Sequence, residues 1–286
     1  MSNYPKKTTT TKPTQKSKFH PDQLKKSVSQ KQSEKSTDWG KVADWYDQMI
    51  SDTDSYQNQV ILPNLLKSIN IQKDQTILDL GCGVGYFCQK YLDRGAKVIG
   101  VDSGVDSIEL AKTKTNPAIE YHCKNAEKLP FLSNCSVDKI TIILAIQNIS
   151  KADQCLSECA RVLKPKGELI IVLNHPYFRI PKSTSWVWSD REFLQYRRID
   201  SYMTPFATEI EMRPSARTKL DKVETVSFHR PLEWFIQHNL ANGLLLKDMQ
   251  ELISHRTTDQ GPKKTPKLEF ARREIPLFML LKWVKV

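Results

Sequence analysis

The chain has 286 residues, 39% apolar and 26% charged, with a net charge of +11. That length suits one domain of about 240 residues with additions, and a large core. Apolar runs such as 142–146 are far too short to span a bilayer, and residues 1–7 lack the apolar stretch of a signal peptide, so a soluble cytoplasmic protein is expected.

Residues 1–37 are rich in Lys, Ser, Thr and Gln. Residues 1–40 hold nine lysines against Asp22, Glu34 and Asp38, so +6 of the excess charge lies there. A segment this polar cannot bury enough surface to offset its ordering entropy, and a disordered basic tail is expected over 1–37. It could touch nucleic acid or an acidic membrane face, although a solubilising role is the plainer reading. The folded domain is expected over 38–286.

Asp38 opens an amphipathic helix with Trp39, Val42, Ala43, Tyr46, Met49 and Ile50 on one face. A second helix begins near Ser55-Tyr56-Gln57. Residues 76–85, Thr-Ile-Leu-Asp-Leu-Gly-Cys-Gly-Val-Gly, read as a buried strand running into a glycine turn and then a helix. Gly81, Gly83 and Gly85 allow positive φ and close approach of a ligand to backbone. Strand, glycine turn and helix start form a nucleotide pocket at the carboxyl end of a parallel sheet. Tyr86 stands where a dinucleotide fingerprint needs Gly, and no Gly-Lys-Ser/Thr phosphate loop is present. A second strand, 97–102, ends in Asp102, whose two carboxylate oxygens suit a ribose diol. Ser103 then begins the next helix.

The Asp-x-Gly-x-Gly-x-Gly pattern of 79–85 resembles the first motif of class I S-adenosylmethionine (SAM) methyltransferases. The resemblance implies SAM as cofactor. Its methionine end would meet the backbone of Gly81, Cys82, Gly83 and Gly85, Asp79 would hold the ammonium directly or through water, and Asp102 with Ser103 would hold the ribose. The "Trp…Ala…Tyr-Asp" pattern of 39–47 resembles the first helix of ubiquinone/menaquinone-type enzymes, where it lies over the cofactor mouth; Tyr46 is the expected lid, and Tyr56 is expected to face the acceptor. Residues 125–131, Asn-Ala-Glu-Lys-Leu-Pro-Phe, resemble the family's Asp-Ala-Glu-x-Leu-Pro-Phe block. That places Asn125 and the Ala126 backbone near the adenine, with Asn in place of the usual Asp.

A fourth strand, 139–145, ends before Gln147 and Asn148, which do not match the Asn/Asp-Pro-Pro-Tyr of nucleic-acid amino-methyltransferases. After a helix to Leu163, residues 164–167 look like the family's Lys-Pro-Gly-Gly turn and lead into strand five, 169–173. Five strands alternating with helices mean a doubly wound parallel sheet. The resemblance completes it as a seven-stranded, mostly parallel Rossmann-like α/β sheet with an antiparallel last strand. Strand six is expected over 244–249 and the last over 275–281.

Residues 175–230 break this rhythm with nine aromatics among Arg179, Arg191, Arg197 and Arg198. They read as a substrate-cap insertion, with Tyr196, Arg197 and Arg198 as acceptor contacts. Methyl transfer from a sulfonium needs a base only if the acceptor arrives protonated, and His175 and His229 are the candidates. Six scattered cysteines, with Val162 where an iron–sulfur triad would need a third Cys, give no metal site. A SAM-dependent methyltransferase acting on a small, partly aromatic or lipophilic acceptor is expected. An RNA methyltransferase gripping phosphates through the tail and arginines, and a non-catalytic SAM-binding module, are the alternatives. Oligomeric state leaves no mark on the sequence.

Overall fold

A computed structural model describes residue 39 and residues 42–212, 223–256 and 266–286. All lie in one compact unit, Ser36–Val286. The expected tail over 1–37 lies outside the described residues.

In chain order the elements are α1 (Ala43–Ser51), a π-helical turn (Gln57–Ile61) running into α2 (Leu62–Ile69), β1 (Thr76–Leu80), α3 (Tyr86–Leu92), β2 (Lys97–Asp102) and α4 (Val105–Lys114). Then come β3 (Glu120–Cys123), β4 (Val137–Ile143), a 3-10 turn (Ile146–Asn148), α5 (Ala152–Val162) and β5 (Leu163–Asn174). The last third holds β6 (Thr184–Ser189), β7 (Leu194–Ile199), β8 (Phe206–Glu211), β9 (Glu224–His229), α6 (Leu232–Ala241), β10 (Leu244–Leu252), α7 (Pro266–Glu274) and β11 (Phe278–Lys285).

Seven strands form one sheet in the order β10-β11-β5-β4-β1-β2-β3. The five from β3 to β5 are mutually parallel, and β11 runs antiparallel between β5 and β10. This is the doubly wound architecture expected. Both faces of the central strands are covered, which is why they read as near-continuous apolar runs. Alternation still sorts the residues: Leu78, Leu80, Ile171 and Trp283 enter one core, and Ile77, Ile170, Val172 and Leu280 the other.

Several boundaries differ from expectation; β4, for one, runs Val137–Ile143, two residues earlier than expected at each end. β5 begins at Leu163, before the expected turn, because Leu163 pairs with Val137 and Glu168 with Lys139, so residues 164–167 bulge out of a continuous ladder. Lys166 takes φ +64 there, and a Cβ on Gly167 would stand 2.8 Å from the Lys164 carbonyl oxygen. β11 starts three residues later than expected: the Ile275 amide still bonds Ala271 in α7, and Leu277 bonds Leu252 before the ladder opens. β10 extends to Leu252 because its partner strand continues that far.

The insertion is two separate hairpins, β6–β7 and β8–β9, and neither joins the main sheet. The second hairpin is tied to the carboxyl end of β4 by Arg230. Its Nη2 donates to the carbonyls of Ile149 at 2.9 Å and Ser150 at 2.8 Å, and its guanidinium lies over Trp234 and Phe228.

Candidate functional site

The turn after β1 is strapped to β2. The amides of Gly81 and Cys82 both donate to the Val101 carbonyl, at 2.7 and 3.1 Å. Asp102, one residue on, bridges two turns: Oδ2 accepts from the Gly83 amide and Oδ1 from the Gly104 amide, each at 2.8 Å. Gly83 and Gly85 hold φ of +54 and +78, a region costly for any residue with a Cβ. At Gly85 a Cβ would also stand 2.2 Å from Tyr121 Oη. At Gly83 the nearest atom is Tyr46 Cε1, at 3.8 Å. The turn is therefore bare backbone with an aromatic ring across it.

That ring belongs to α1. Tyr46 packs edge-on against Trp39 at 5.9 Å. Burial pushes its hydroxyl up to about 12, opposed by a hydrogen bond with Gln57 and reinforced by the charges of Asp102 and Asp79. The phenol stays protonated at neutral pH, so Tyr46 covers the turn and does not act as a base.

Asp79 sits beneath the turn, 1% exposed. Its Oδ1 accepts from Thr141 Oγ1 at 2.6 Å and its Oδ2 from the Cys88 thiol at 3.4 Å. Burial pushes its pKa up to about 7, more than these two donors pull it down, and Asp102 adds to the rise. Two neutral donors do not balance a buried carboxylate. Asp79 thus gives up its proton less readily than an ordinary carboxyl and would be favoured as an anion by a cation arriving beside it. Asp102 offers two oxygens held in register by backbone amides. This donor set fits the SAM molecule that the sequence implied, with its ammonium and its ribose diol.

The other expected contacts are placed with less definition. Cys82 is buried, and its thiol is raised well above the usual range by burial, so it fills space against β2. The Ser103 carbonyl accepts from the Cys123 thiol at 3.6 Å. Asn125 is exposed on the loop after β3, its carbonyl accepting from the Lys128 amide at 3.3 Å, and Ala126 is half-buried against the core.

The two histidines expected as bases are both buried. His175 is fully buried at the end of β5. Its Nδ1 accepts from the Tyr177 amide at 3.3 Å, and its Nε2 therefore donates to Glu251 Oε1 at 3.0 Å. Burial lowers its pKa against the pull of Glu251, so the ring is a neutral tether between β5 and β10. His229 donates Nε2–H to the Tyr202 carbonyl at 2.6 Å, and burial lowers its pKa as well. Each ring is thus held by a hydrogen bond within the fold.

The arginine pair divides. Arg198 is exposed and pairs with Asp200 at 2.9 Å. Arg197 turns inward: Nε donates to the Phe178 carbonyl at 2.8 Å and Nη2 to Thr184 Oγ1 at 2.7 Å. Tyr196 lies open on the hairpin. Tyr56 sits at the start of the π-helical turn, its hydroxyl 3.3 Å from Ser254 Oγ. With Trp186 it lines a cavity of about 430 Å³.

At the carboxyl end of β4, Leu144 holds φ +53, and its carbonyl accepts from the side-chain amides of Gln147 at 2.7 Å and Asn148 at 3.5 Å. The carbonyl oxygens of both side chains, Gln147 Oε1 and Asn148 Oδ1, are buried without a hydrogen-bond partner among the described residues. Buried acceptors of this kind are costly unless a ligand satisfies them. Sequence reading noted the pair and set it aside for want of a motif; the open acceptors appear only in three dimensions.

Residues 78–171 match the family described as a methyltransferase domain. A biotin biosynthesis bifunctional protein from Cellvibrio japonicus is 33% identical over 149 residues, 52% of this chain and 28% of that one. The demethylmenaquinone methyltransferase of Renibacterium salmoninarum is 32% identical over 105 residues, 36% of this chain and 44% of that one. The chain spans less than half the length of these curated relatives. A solved SAM-dependent methyltransferase from Mesorhizobium loti shares the fold at a TM-score of 0.60 and 22% identity, over 78% of this chain and 96% of that one.

Proposed function

We propose that this chain, whose residues 78–171 belong to the methyltransferase-domain family, is a SAM-dependent methyltransferase acting on a small, partly aromatic or lipophilic acceptor. The observation that carries the reading is the joint placement of Asp79 and Asp102 about one bare glycine turn, with Tyr46 close enough to both to feel their charges. When bound, SAM supplies a methyl group already activated by its sulfonium. The protein's task is then positioning and exclusion of water. Asp102 orders the turns after β1 and β2 and offers its carboxylate to a ribose. Asp79 supplies a buried anion for an ammonium. Tyr46 and α1 cover the turn. Gln147 and Asn148 offer acceptor oxygens at the carboxyl end of β4. No side chain is needed to take a proton from an acceptor that arrives without one to lose, which agrees with two histidines committed elsewhere.

The aromatic hairpin β6–β7 and the named activity of the demethylmenaquinone relative support a flat or lipophilic acceptor. Titration calorimetry with S-adenosylhomocysteine tests the cofactor half. Asp102→Ala should cost about 2–3 kcal/mol, roughly 30- to 150-fold in affinity. No binding by the wild-type protein would sink the reading.

A further inference from the structure

A second cavity, of about 360 Å³, opens at the far end of the sheet from the glycine turn. Lys139 lines it, and that residue pairs with Ile77 near the start of β1 and with Glu168 on β5, so this is the amino end of the central strands. Lys164, Lys166, Lys247 and Lys282 complete a set of five lysines in the lining, against two acids, Asp138 and Glu168. The other lining residues are uncharged, so the wall carries three positive charges in excess.

Distances bring these groups together. Lys139 stands 2.6 Å from Glu168 Oε2, and Lys247 and Lys282 each stand 2.9 Å from Oε1. Lys164 donates to Asp138 Oδ1 at 2.8 Å, and Oδ2 of the same acid accepts from the Thr76 amide at 2.8 Å. All four carboxylate oxygens are therefore engaged, while the donors are not exhausted. An ammonium has three N–H groups. Among the described residues Lys139, Lys164 and Lys247 each use one, and Lys282 uses two, on Glu168 and on the Ser68 carbonyl at 2.7 Å. Asn70 and Gln75 line the same cavity. Their side-chain oxygens both accept from Gln72, at 3.3 and 2.9 Å, which leaves their NH2 groups as further donors.

Lys166 sits on the bulge of β5 at φ +64, where a Cβ is costly and glycine is at ease. It has no hydrogen bond or ion pair among the described residues. Strain kept where glycine would relieve it points to a use for the side chain. We infer that this cavity binds a diphosphate group, free or at the end of a nucleotide. Lysines hold phosphate as point charges, and a diphosphate brings several negative charges and many acceptor oxygens in one compact group. A single carboxylate would leave most of the excess charge uncancelled. The site is separate from the glycine turn and does not depend on the methyltransferase reading.

The test is calorimetric titration of the full chain with pyrophosphate and with ADP, at matched ionic strength and with S-adenosylhomocysteine present to occupy the nucleoside pocket. One equivalent of pyrophosphate should bind. The variant is Lys166→Gly with Lys247→Gln. The first change suits the backbone at 166. The second removes the most open lysine on Glu168, 54% exposed against 8% and 11% for Lys139 and Lys282, and leaves those two in place. The double variant should melt as the wild type does and bind pyrophosphate about tenfold or more weakly, with S-adenosylhomocysteine affinity unchanged. ADP binding as tightly as pyrophosphate supports the site and assigns it room for a nucleotide; pyrophosphate binding alone supports it and assigns the free ion. No binding by the wild-type protein overturns the proposal. So does pyrophosphate binding that the double variant keeps in full, or uptake of many weak equivalents, since either places the anion on the general basic surface. A failure of S-adenosylhomocysteine to bind would count against the methyltransferase reading and leave this site standing.

Discussion

Asp79 and Glu168 are both buried acids, and their partners send them in opposite directions. Asp79 faces neutral donors, and burial lifts it from 3.8 to about 7. Below pH 3.8 it is protonated folded or unfolded and contributes nothing to a pH dependence. Between 3.8 and 7 the folded chain keeps a proton that the unfolded chain releases, so stability falls as pH rises through that window. Asp79→Asn keeps an acceptor for Thr141 and removes the penalty. It should be more stable than wild type at pH 8, by on the order of 2 kcal/mol, and should lose S-adenosylhomocysteine affinity. Urea denaturation at pH 5 and 8 checks the first part, since the variant's advantage should shrink at the lower pH.

Burial also pushes Glu168 up, but Lys139 at 2.6 Å and Lys247 and Lys282, each at 2.9 Å, outweigh it and hold its pKa near 2. Its contribution is complete above its ordinary carboxylate range and is lost as pH falls from there toward 2. Glu168→Gln leaves three ammonium groups facing one another and should cost about 3 kcal/mol at pH 7. Denaturant midpoints at pH 7 and pH 3 should show the difference narrowing in acid.

At the scale of elements, the glycine turn separates folding from binding. Gly85→Ala places a Cβ into Tyr121, which is itself wedged against Gly100 of β2, so the variant should lose about 3 kcal/mol or fail to fold. Gly83→Ala meets no such obstacle: Tyr46 at 3.8 Å is in ordinary contact. It should cost only the backbone penalty, about 1–2 kcal/mol, yet its methyl group projects toward the lid and should weaken S-adenosylhomocysteine binding more than stability. Thermal melts with and without the nucleoside separate the two effects. If Gly83→Ala binds as wild type, the ligand does not approach the turn from the Tyr46 side. These elements were readable beforehand because their signals are local. Three glycines within five residues, and an acid at the end of the next strand, are patterns over a few neighbours. The bulge at 164–167 was less readable, since a turn and an excursion within a ladder share the same Pro and Gly and differ only in what pairs on either side.

For the whole molecule the decisive feature is β11, the last strand in sequence but interior to the sheet. It pairs with β5 on one side and β10 on the other and buries Met279, Leu281 and Trp283 in one core and Phe278 and Leu280 in the other. Deleting residues 278–286 should leave β5 and β10 with open edges and both cores torn, and the product should be insoluble or lack near-ultraviolet circular dichroism. A soluble, cooperatively melting truncation would contradict this. Among the described residues no helix is long and apolar enough to cross a membrane.

What the sequence determined by itself was everything carried by short-range pattern: the alternation of strands and helices, the bare turn after β1, and the acids at 79 and 102 that flank it. Those follow from backbone sterics and from the burial of apolar periods, which act between near neighbours. The tertiary structure alone decided which polar groups were already spoken for. His175 meets Glu251 across 76 residues, and the Arg179 guanidinium lies over the ring of Phe278, on the last strand. Which hydrogen bonds a histidine makes, and which ring an arginine covers, depends on the distant residue that the fold brings beside it. Residue order does not encode that proximity in any local pattern.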